Sequence, residues 1–425
     1  MSDCTTEEIE LYVNDQKYRS FSNAIEKILK NFDSSSEWAD LISNLAKLEK
    51  IIEANNKYCF IPKRITVARR LSQCLHPNLP TGVHLKSLSV YNSIMQSNGD
   101  QLCRDLSLYC PPILYLLPRS SFTVRPRLLH ILEKYIVKYV HASSDLPSIL
   151  ASIFASIEES SELTDRILEL ADSILQRSEP IDFYSAGWTA LTITMECRLP
   201  YLRFLSSKLE RGDVTVDIVT STDPNEIVIA LCHCLQDQTP HRLICRTALD
   251  LICQLVPMDS NIFPSQAINA LLSNAFNLLL LKESSLNRRV MNWMLGCKNW
   301  DVCGSKLFSG ALMRYINDSL ASNVTNSLLT TVSTLLDQSQ LTAFIVQHNL
   351  FYLLLKVHKH CQLNDTLTNT ENLNSLSSFL LSFDTHFLWT FISDKICELL
   401  HNADDSVDLI SLCMLLEDVL SSHNN

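Results

Sequence analysis

Residues 64–95 read RITVARRLSQCLHPNLPTGVHLKSLSVYNSIM, and the way this stretch punctuates itself decides the fold class. From Arg64 to Leu75 the apolar positions Ile65, Val67, Ala68, Leu71 and Leu75 recur at helical spacing. Pro77, Pro80 and Gly82 then break the pattern with a rigid turn, because proline has no backbone N–H and disfavours helix in the residue before it. A second helical pattern follows, in which Leu88, Val90, Tyr91, Ile94 and Met95 cover a wide arc. A helix apolar over so much of its circumference needs neighbours on two sides, which layered helix pairs supply.

The same alternation of helix and short polar or Pro-bearing break runs through the chain. Leu286, Val290, Trp293 and Cys297 share one helix face, as do Ile244, Cys245, Ala248, Ile252 and Leu255. Start signals recur at Ser34–Glu37, Ser160-Ser161-Glu162 and Asp223-Pro224 with Glu226. Stops are expected near Pro111-Pro112, Pro180, Pro200, Pro240, Pro257 and Pro264. The pattern predicts about twenty helices of roughly 11–18 residues, and no stretch alternates with period two for long enough to be a strand. No repeat is visible letter by letter. Helix spacing of about 20 residues nevertheless predicts a helix pair every 40 or so, as in HEAT or armadillo arrays. The expected fold is all-α, an irregular HEAT/armadillo-like α-solenoid continuous over 17–425. A globular α-bundle is the rival. Residues 1–16, with five acids and no base, are expected to be loose. Leu363–Ser378, rich in Asn, Thr and Ser, is expected to be a long loop.

Composition agrees. Seven glycines in 425 residues is far below the roughly 7% of an average chain, and leucines number 70. Phosphate loops, parallel α/β folds and turn-rich sandwiches all need glycine at positive φ or at close backbone approach. There is no G-x-S-x-G, H-E-x-x-H, Walker or G-x-G-x-x-G motif, so no enzyme and no cofactor is expected. Cys232-His233-Cys234 with His241 and Cys245 imitates a metal cluster. Adjacent helix residues diverge, however, and no C-x-x-C pair is present, so a core histidine is expected instead. Trp188 and Trp293 sit in apolar helical patterns and are expected in the core. The acidic N-terminus has no apolar signal core, and no apolar run approaches 18 residues. A cytosolic chain with its fifteen cysteines mostly reduced is the expectation. The sequons at Asn317 and Asn323 would then never meet the glycosylation enzyme.

Charge is uneven. The formal net charge is −11, which argues against a nucleic-acid partner. Between Glu53 and Glu133, however, lie ten bases and only two acids, Asp100 and Asp105. That stretch therefore carries +8 and the remainder −19. These bases are either solvated faces paired with acids from elsewhere in the fold, or a surface for anionic lipid or an acidic partner segment. Lys63, Arg64, Arg69, Arg70, Lys86, Arg125 and Arg127 are its candidate contacts, with Arg69 and Arg70 turned away from the apolar face of their helix.

Five segments, in order, resemble a known family. They are Glu37-Trp38-Ala39-Asp40-Leu41-Ile42, then His76–Lys86 running on to Val90-Tyr91. The third is Phe183–Ala186 with Trp188 and Arg198-Leu199-Pro200. Ala230–Cys232 with Cys234–Asp237 is the fourth, and Ser285–Arg289 with Trp293 and Leu295-Gly296 the fifth. Together they resemble the N-terminal region of the Dopey family over 37–296. The family's small residues and Pro-Gly near Ile153–Ile157 are replaced here, and nothing beyond about residue 300 is recognisably similar. The resemblance implies a non-catalytic helical-repeat scaffold, peripheral on Golgi and endosome membranes, in endosome-to-Golgi retrograde traffic. It implies work with a Sec7-related scaffold lacking exchange activity and with an aminophospholipid flippase. Beside it, His76 and His84 become candidates for a partner-docking loop, though a rigid turn with His84 capping or packing locally is the expected reading. Arg288 and Arg289 become candidates for holding an acidic ligand or bracing the next repeat. A salt-sensitive surface for anionic phospholipid, a purely protein-binding groove and a homodimer all stay open.

Overall fold

A computed structural model describes residues 12, 14–33, 37–142, 145–158, 162–236, 242–297, 300, 304–363, 366–401 and 406–422. Among the described residues every regular element is a helix, and the twenty-two α-helical segments answer to the all-α expectation. The chain groups into two compact units, Met1–Glu226 and Ile227–Asn425.

The first unit contains α1 (Gln16–Asp33), α2 (Trp38–Ala54), α3 (Arg64–Cys74), α4 (Thr81–Asn98), α5 (Leu102–Leu116), α6 (Arg125–Ile131), α7 (Leu146–Ala155), α8 (Thr164–Arg177), α9 (Pro180–Ile193), α10 (Arg198–Arg211) and the single turn α11 (Val216–Val219). Packing runs largely to the next helix but one: α2 on α4, α3 on α5, α5 on α7, α7 on α9. That is the connectivity of stacked helix pairs. The helix α4 shows why it is needed. Val83, Leu88, Val90, Tyr91, Ile94 and Met95 are all buried, on several sides of one helix, against α2, α3, α5 and α6.

The unit boundary falls in the first turn of α12 (Pro224–Leu235). The second unit continues with α13 (Arg242–Leu255), α14 (Ser265–Leu279), α15 (Ser284–Leu295), α16 (Ser305–Ala321), α17 (Thr325–Leu336), α18 (Ser339–Ile345), α19 (Phe351–Leu363), α20 (Thr366–Leu381), α21 (Thr385–His401) and α22 (Ser406–Ser422). Here too α13 packs on α15 and α14 on α16.

The hidden repeat appears in the hydrogen bonds. Tyr58 reaches Asp15 across 43 residues, Arg64 reaches Asp105 across 41 and Ser93 reaches Glu53 across 40. In the second unit Arg289 reaches Asp250 across 39 and Asn349 reaches Ser309 across 40. Side chains that meet this regularly at about 40 residues are equivalent positions of successive pairs.

Trp188 and Trp293 lie in the core as expected, each donating its indole N–H to a carbonyl, Val219 at 3.1 Å and Val256 at 2.7 Å. Two expectations need correction. Pro111 and Pro112 lie inside α5 rather than ending it. The helix survives because Leu106, Tyr109, Cys110, Ile113, Leu114 and Leu116 bury on both sides of the prolines. The carbonyls that the prolines free belong to Ser107 and Leu108, away from the core. The breaks expected near Pro180 and Pro200 are present, after Arg177 and Ile193, and both prolines sit in the first turns of the helices that follow, α9 and α10, where the missing N–H has no intrahelical partner to lose. Within the expected loop at Leu363–Ser378, Leu363 ends α19, 364–365 lie outside the described residues, and Thr366–Ser378 belongs to helix α20. Leu376, Phe379 and Leu380 bury against neighbouring helices and outweigh the poor helix propensity of Asn, Thr and Ser. Of residues 1–16, expected to be loose, 1–11 and 13 lie outside the described residues, as do His241, Pro240 and the start signals at Ser34–Ser36 and Ser160-Ser161. Tyr12 stacks on Tyr18 at 5.5 Å.

Candidate functional site

The candidate residues occupy different units, and each belongs to a local construction of its own. In the 76–86 segment the chain turns between α3 and α4 with Pro80 at the helix entry. His84 is buried, and its Nε2 lies 2.9 Å from the His76 carbonyl, so this imidazole ties the turn to the helix it feeds. The His76 ring is exposed, with Nδ1 accepting the Asn78 N–H at 3.3 Å. On α3 the buried stripe is Val67, Ala68, Leu71 and Cys74. Ile65, expected on that stripe, is instead 47% exposed. Arg64 takes the inward direction beside it to reach Asp105, and one helix turn cannot present both side chains to the same neighbour.

Four of the ten bases in this stretch, Lys63, Arg64, Lys86 and Arg125, pair with acids from other elements. Lys63, in the left-handed backbone region at φ 55°, pairs with Glu26 at 3.2 Å. The Arg64 guanidinium donates to the buried Asp105 carboxylate at 2.6 Å. Desolvation raises the Asp105 pKa above its ordinary value, and Arg64 opposes the rise. Lys86 and Ser89 both bond Glu49. Arg125 is buried, donates to the Ser120 carbonyl at 3.1 Å and lies 2.8 Å from Glu158. Arg70 leans on Gln73 at 3.0 Å. In the second unit Arg289 braces α15 to α13 through Asp250 at 2.7 Å. Beside it Glu283 takes Arg246, Arg242 and Ser285, and Arg246 foremost holds its carboxyl below the usual range. Arg69, Arg127 and Arg288 are exposed, and among the described residues none of the three has an ion-pair partner.

One construction in the first unit was not legible in the sequence. A groove of about 530 Å³ runs between α4 and α6. Leu85, Leu88, Ser89 and Asn92 line one side, and Thr123, Arg127, His130, Ile131 and Lys134 the other. Leu88 and Ile131 are buried in its floor, whereas Leu85 is 37% exposed at its mouth. The chain after α6 passes through a π-helical turn, Leu132–Ile136, a rare form often kept at functional places. That turn sets Lys134 on the groove and lets the Tyr135 hydroxyl donate to Asn92 at 2.9 Å. Arg127 was a candidate from its charge; His130 and Lys134 were not. No sequence periodicity predicts a π turn.

Six of the thiols are poorly suited to nucleophilic chemistry. Burial pushes those of Cys74, Cys232, Cys253 and Cys361 up to about 11, and of Cys110 and Cys197 to about 12, which keeps them protonated. Among the described residues no three His, Cys, Asp or Glu side chains gather to hold a metal, and no helix is long and apolar enough to cross a membrane.

The family described as Dopey, N-terminal, matches residues 15–299, two thirds of the chain. The chain belongs to the Dopey family. It is 36% identical over 285 residues to Protein pad-1 of Caenorhabditis briggsae, covering 66% of this chain and 12% of that protein. To Protein DOP1B of Mus musculus it is 37% identical over 306 residues, covering 68% and 13%. To Protein DOP1 of Saccharomyces cerevisiae it is 28% identical over 341 residues, covering 66% and 20%. The chain thus spans about an eighth of the length of the animal Dopey proteins it matches. Among solved structures, a circular tandem repeat protein aligns over 98% of this chain and 93% of its own at 10% identity. Its TM-score of 0.26 carries no argument. All five segments that resemble the family in sequence fall inside the matched range.

Proposed function

We propose that this chain is a non-catalytic scaffold segment in endosome-to-Golgi retrograde traffic, held peripherally on Golgi and endosome membranes by protein partners. The observation that supports this most is the Dopey match across 15–299, laid over stacked helix pairs. Its partners on this reading are a Sec7-related scaffold without exchange activity and a flippase. The pairing of Lys63, Arg64, Lys86 and Arg125 with acids of neighbouring repeats favours protein docking over a broad lipid-binding face. Exposed charges already engaged add little to membrane attraction, which needs about 1 kcal/mol from each free base.

A second reading keeps anionic lipid, because Arg69, Arg127 and Arg288 stay exposed. Flotation with neutral, phosphatidylserine-containing and phosphoinositide-containing liposomes separates the two, with an Arg69→Glu/Arg70→Glu variant alongside. On the protein-docking reading the chain stays with the unfloated fraction for all three vesicles, yet a tagged copy is recruited to Golgi and endosome membranes in cells. Flotation with anionic vesicles only, lost in the variant, would transfer the membrane contact to lipid. A tagged copy that stays off those membranes would refute the scaffold reading.

A further inference from the structure

We propose that the groove between α4 and α6 binds an acidic amphipathic helix of about two turns, supplied by a partner protein; this names a ligand class for the docking role above and rests on it. The lining residues Leu85, Leu88, Ser89 and Asn92 stand at i, i+3, i+4 and i+7 along α4. At about 1.5 Å per residue the lined length is roughly 10 Å, which matches two helical turns. Leu88 and Ile131 form an apolar floor and Leu85 offers an exposed apolar edge, the pattern met by apolar anchors one turn apart.

The wall opposite α4 selects charge. Arg127 and Lys134 are cationic, with the His130 imidazole between them on the same wall. Among the described residues no carboxylate pairs with any of the three; Lys134 lies over its neighbour Tyr135 at 4.9 Å. The acids nearby are engaged elsewhere: Glu49 holds Lys86 and Ser89, and Glu133 holds Arg166 through two bonds of 2.7 Å. The groove therefore combines apolar burial with an uncompensated positive wall, and a segment carrying Leu-type anchors flanked by Glu or Asp complements both. A bilayer does not suit the shape, since a broad lipid surface cannot follow side chains into a concave groove between two helices.

The test uses the full 425-residue chain and a fluorescein-labelled helical peptide of about 14 residues with Leu anchors one turn apart and Glu on its flanks. Two control peptides replace the Glu residues by Lys or the Leu anchors by Ala. Fluorescence anisotropy is expected to give the Glu/Leu peptide a Kd at least about tenfold below either control, rising steeply with salt. Arg127→Glu/Lys134→Glu, on exposed positions, should abolish the preference with an unchanged melting temperature. Arg288→Glu, an exposed arginine of the other unit, should leave it intact. Equal binding of the Lys/Leu peptide, or indifference to Arg127→Glu/Lys134→Glu, would overturn the proposal. So would vesicle binding lost in that double variant, which would make the groove a headgroup site. If the peptide preference is absent while the tagged chain still reaches Golgi and endosome membranes, only the groove's ligand falls. If recruitment fails as well, the scaffold reading falls with it.

Discussion

Asp105 is buried to the last few per cent of its surface and accepts a hydrogen bond from the Arg64 guanidinium. Removing that partner leaves a carboxylate in a low-dielectric site, where a lone charge costs several kcal/mol. Arg64→Ala is expected to lower stability by about 2–3 kcal/mol at neutral pH. The sign with pH follows from the raised pKa of Asp105. A folded-state pKa above the unfolded one means that the native state binds the proton more tightly. The penalty is then absent below the ordinary carboxylate range and grows as pH rises through the folded pKa. Urea midpoints at pH 7 and near pH 4 check this; an equal loss at both would assign the effect to packing. Gly187 offers a second test. A Cβ there would stand 1.9 Å from the hydroxyl oxygen of Tyr201, a fully buried ring packed on Phe154 and Trp188. Gly187→Ala gains helix propensity of about 1 kcal/mol. Overpacking of typically 1–3 kcal/mol should outweigh it. Tyr201→Phe removes that oxygen, which has no hydrogen-bond partner among the described residues, but leaves the ring carbons Cζ and Cε2 against the new Cβ, so it should recover only a small part of the loss in a double-mutant cycle.

At the scale of single elements, apolar periodicity was a better guide than punctuation. The face Leu286/Val290/Trp293 is buried as its spacing implies, and so is Ile244/Cys245/Ala248/Ile252/Leu255. Proline misled because a proline breaks a helix only when no core holds both halves, and α5 has apolar residues buried on either side. Pro111→Ala should therefore restore one hydrogen bond and raise the melting temperature, by the equivalent of about 1 kcal/mol once the proline's benefit in the unfolded chain is deducted. Charge misled in a different way. A run of ten bases and two acids reads as a surface until the helices stack, when acids some 40 residues away come to meet it. Glu283 is the counterpart in the second unit, and its pKa is lowered chiefly by Arg246. Its contribution is present above the unfolded carboxylate range and lost as pH falls through the depressed folded value. Glu283→Gln should flatten the acid limb of the stability curve below about pH 5 while leaving its shape near pH 7 unchanged. Thermal melts across pH 3–7 would show it.

At the scale of the whole molecule, a stack in which helices touch only near neighbours has stability that varies along its length. The last two helices expose Val407 at 71%, Leu400 at 65% and Ile410 at 60%, whereas α14 and α16 hold Phe276 and Phe308 wholly buried. Amide exchange in the full chain should therefore be fastest in α21 and α22 and slowest in α14 and α16. Uniform protection across the second unit would contradict this. The boundary after Glu226 left no mark in the sequence, since it interrupts neither the helical period nor the composition.

By itself the sequence determined the all-α class, the helical faces, the spacing near 40 residues and the Dopey kinship, because each rests on local side-chain pattern. Only the tertiary structure decided which bases are spent on partners 33–41 residues away and which remain exposed. It alone built the groove from Leu85, Ile131 and Lys134, residues that belong to different helical pairs and to a π turn. The physical reason is that periodicity fixes which way a residue faces along its own helix. What it faces is set by the packing of the neighbouring pair, which no local pattern records.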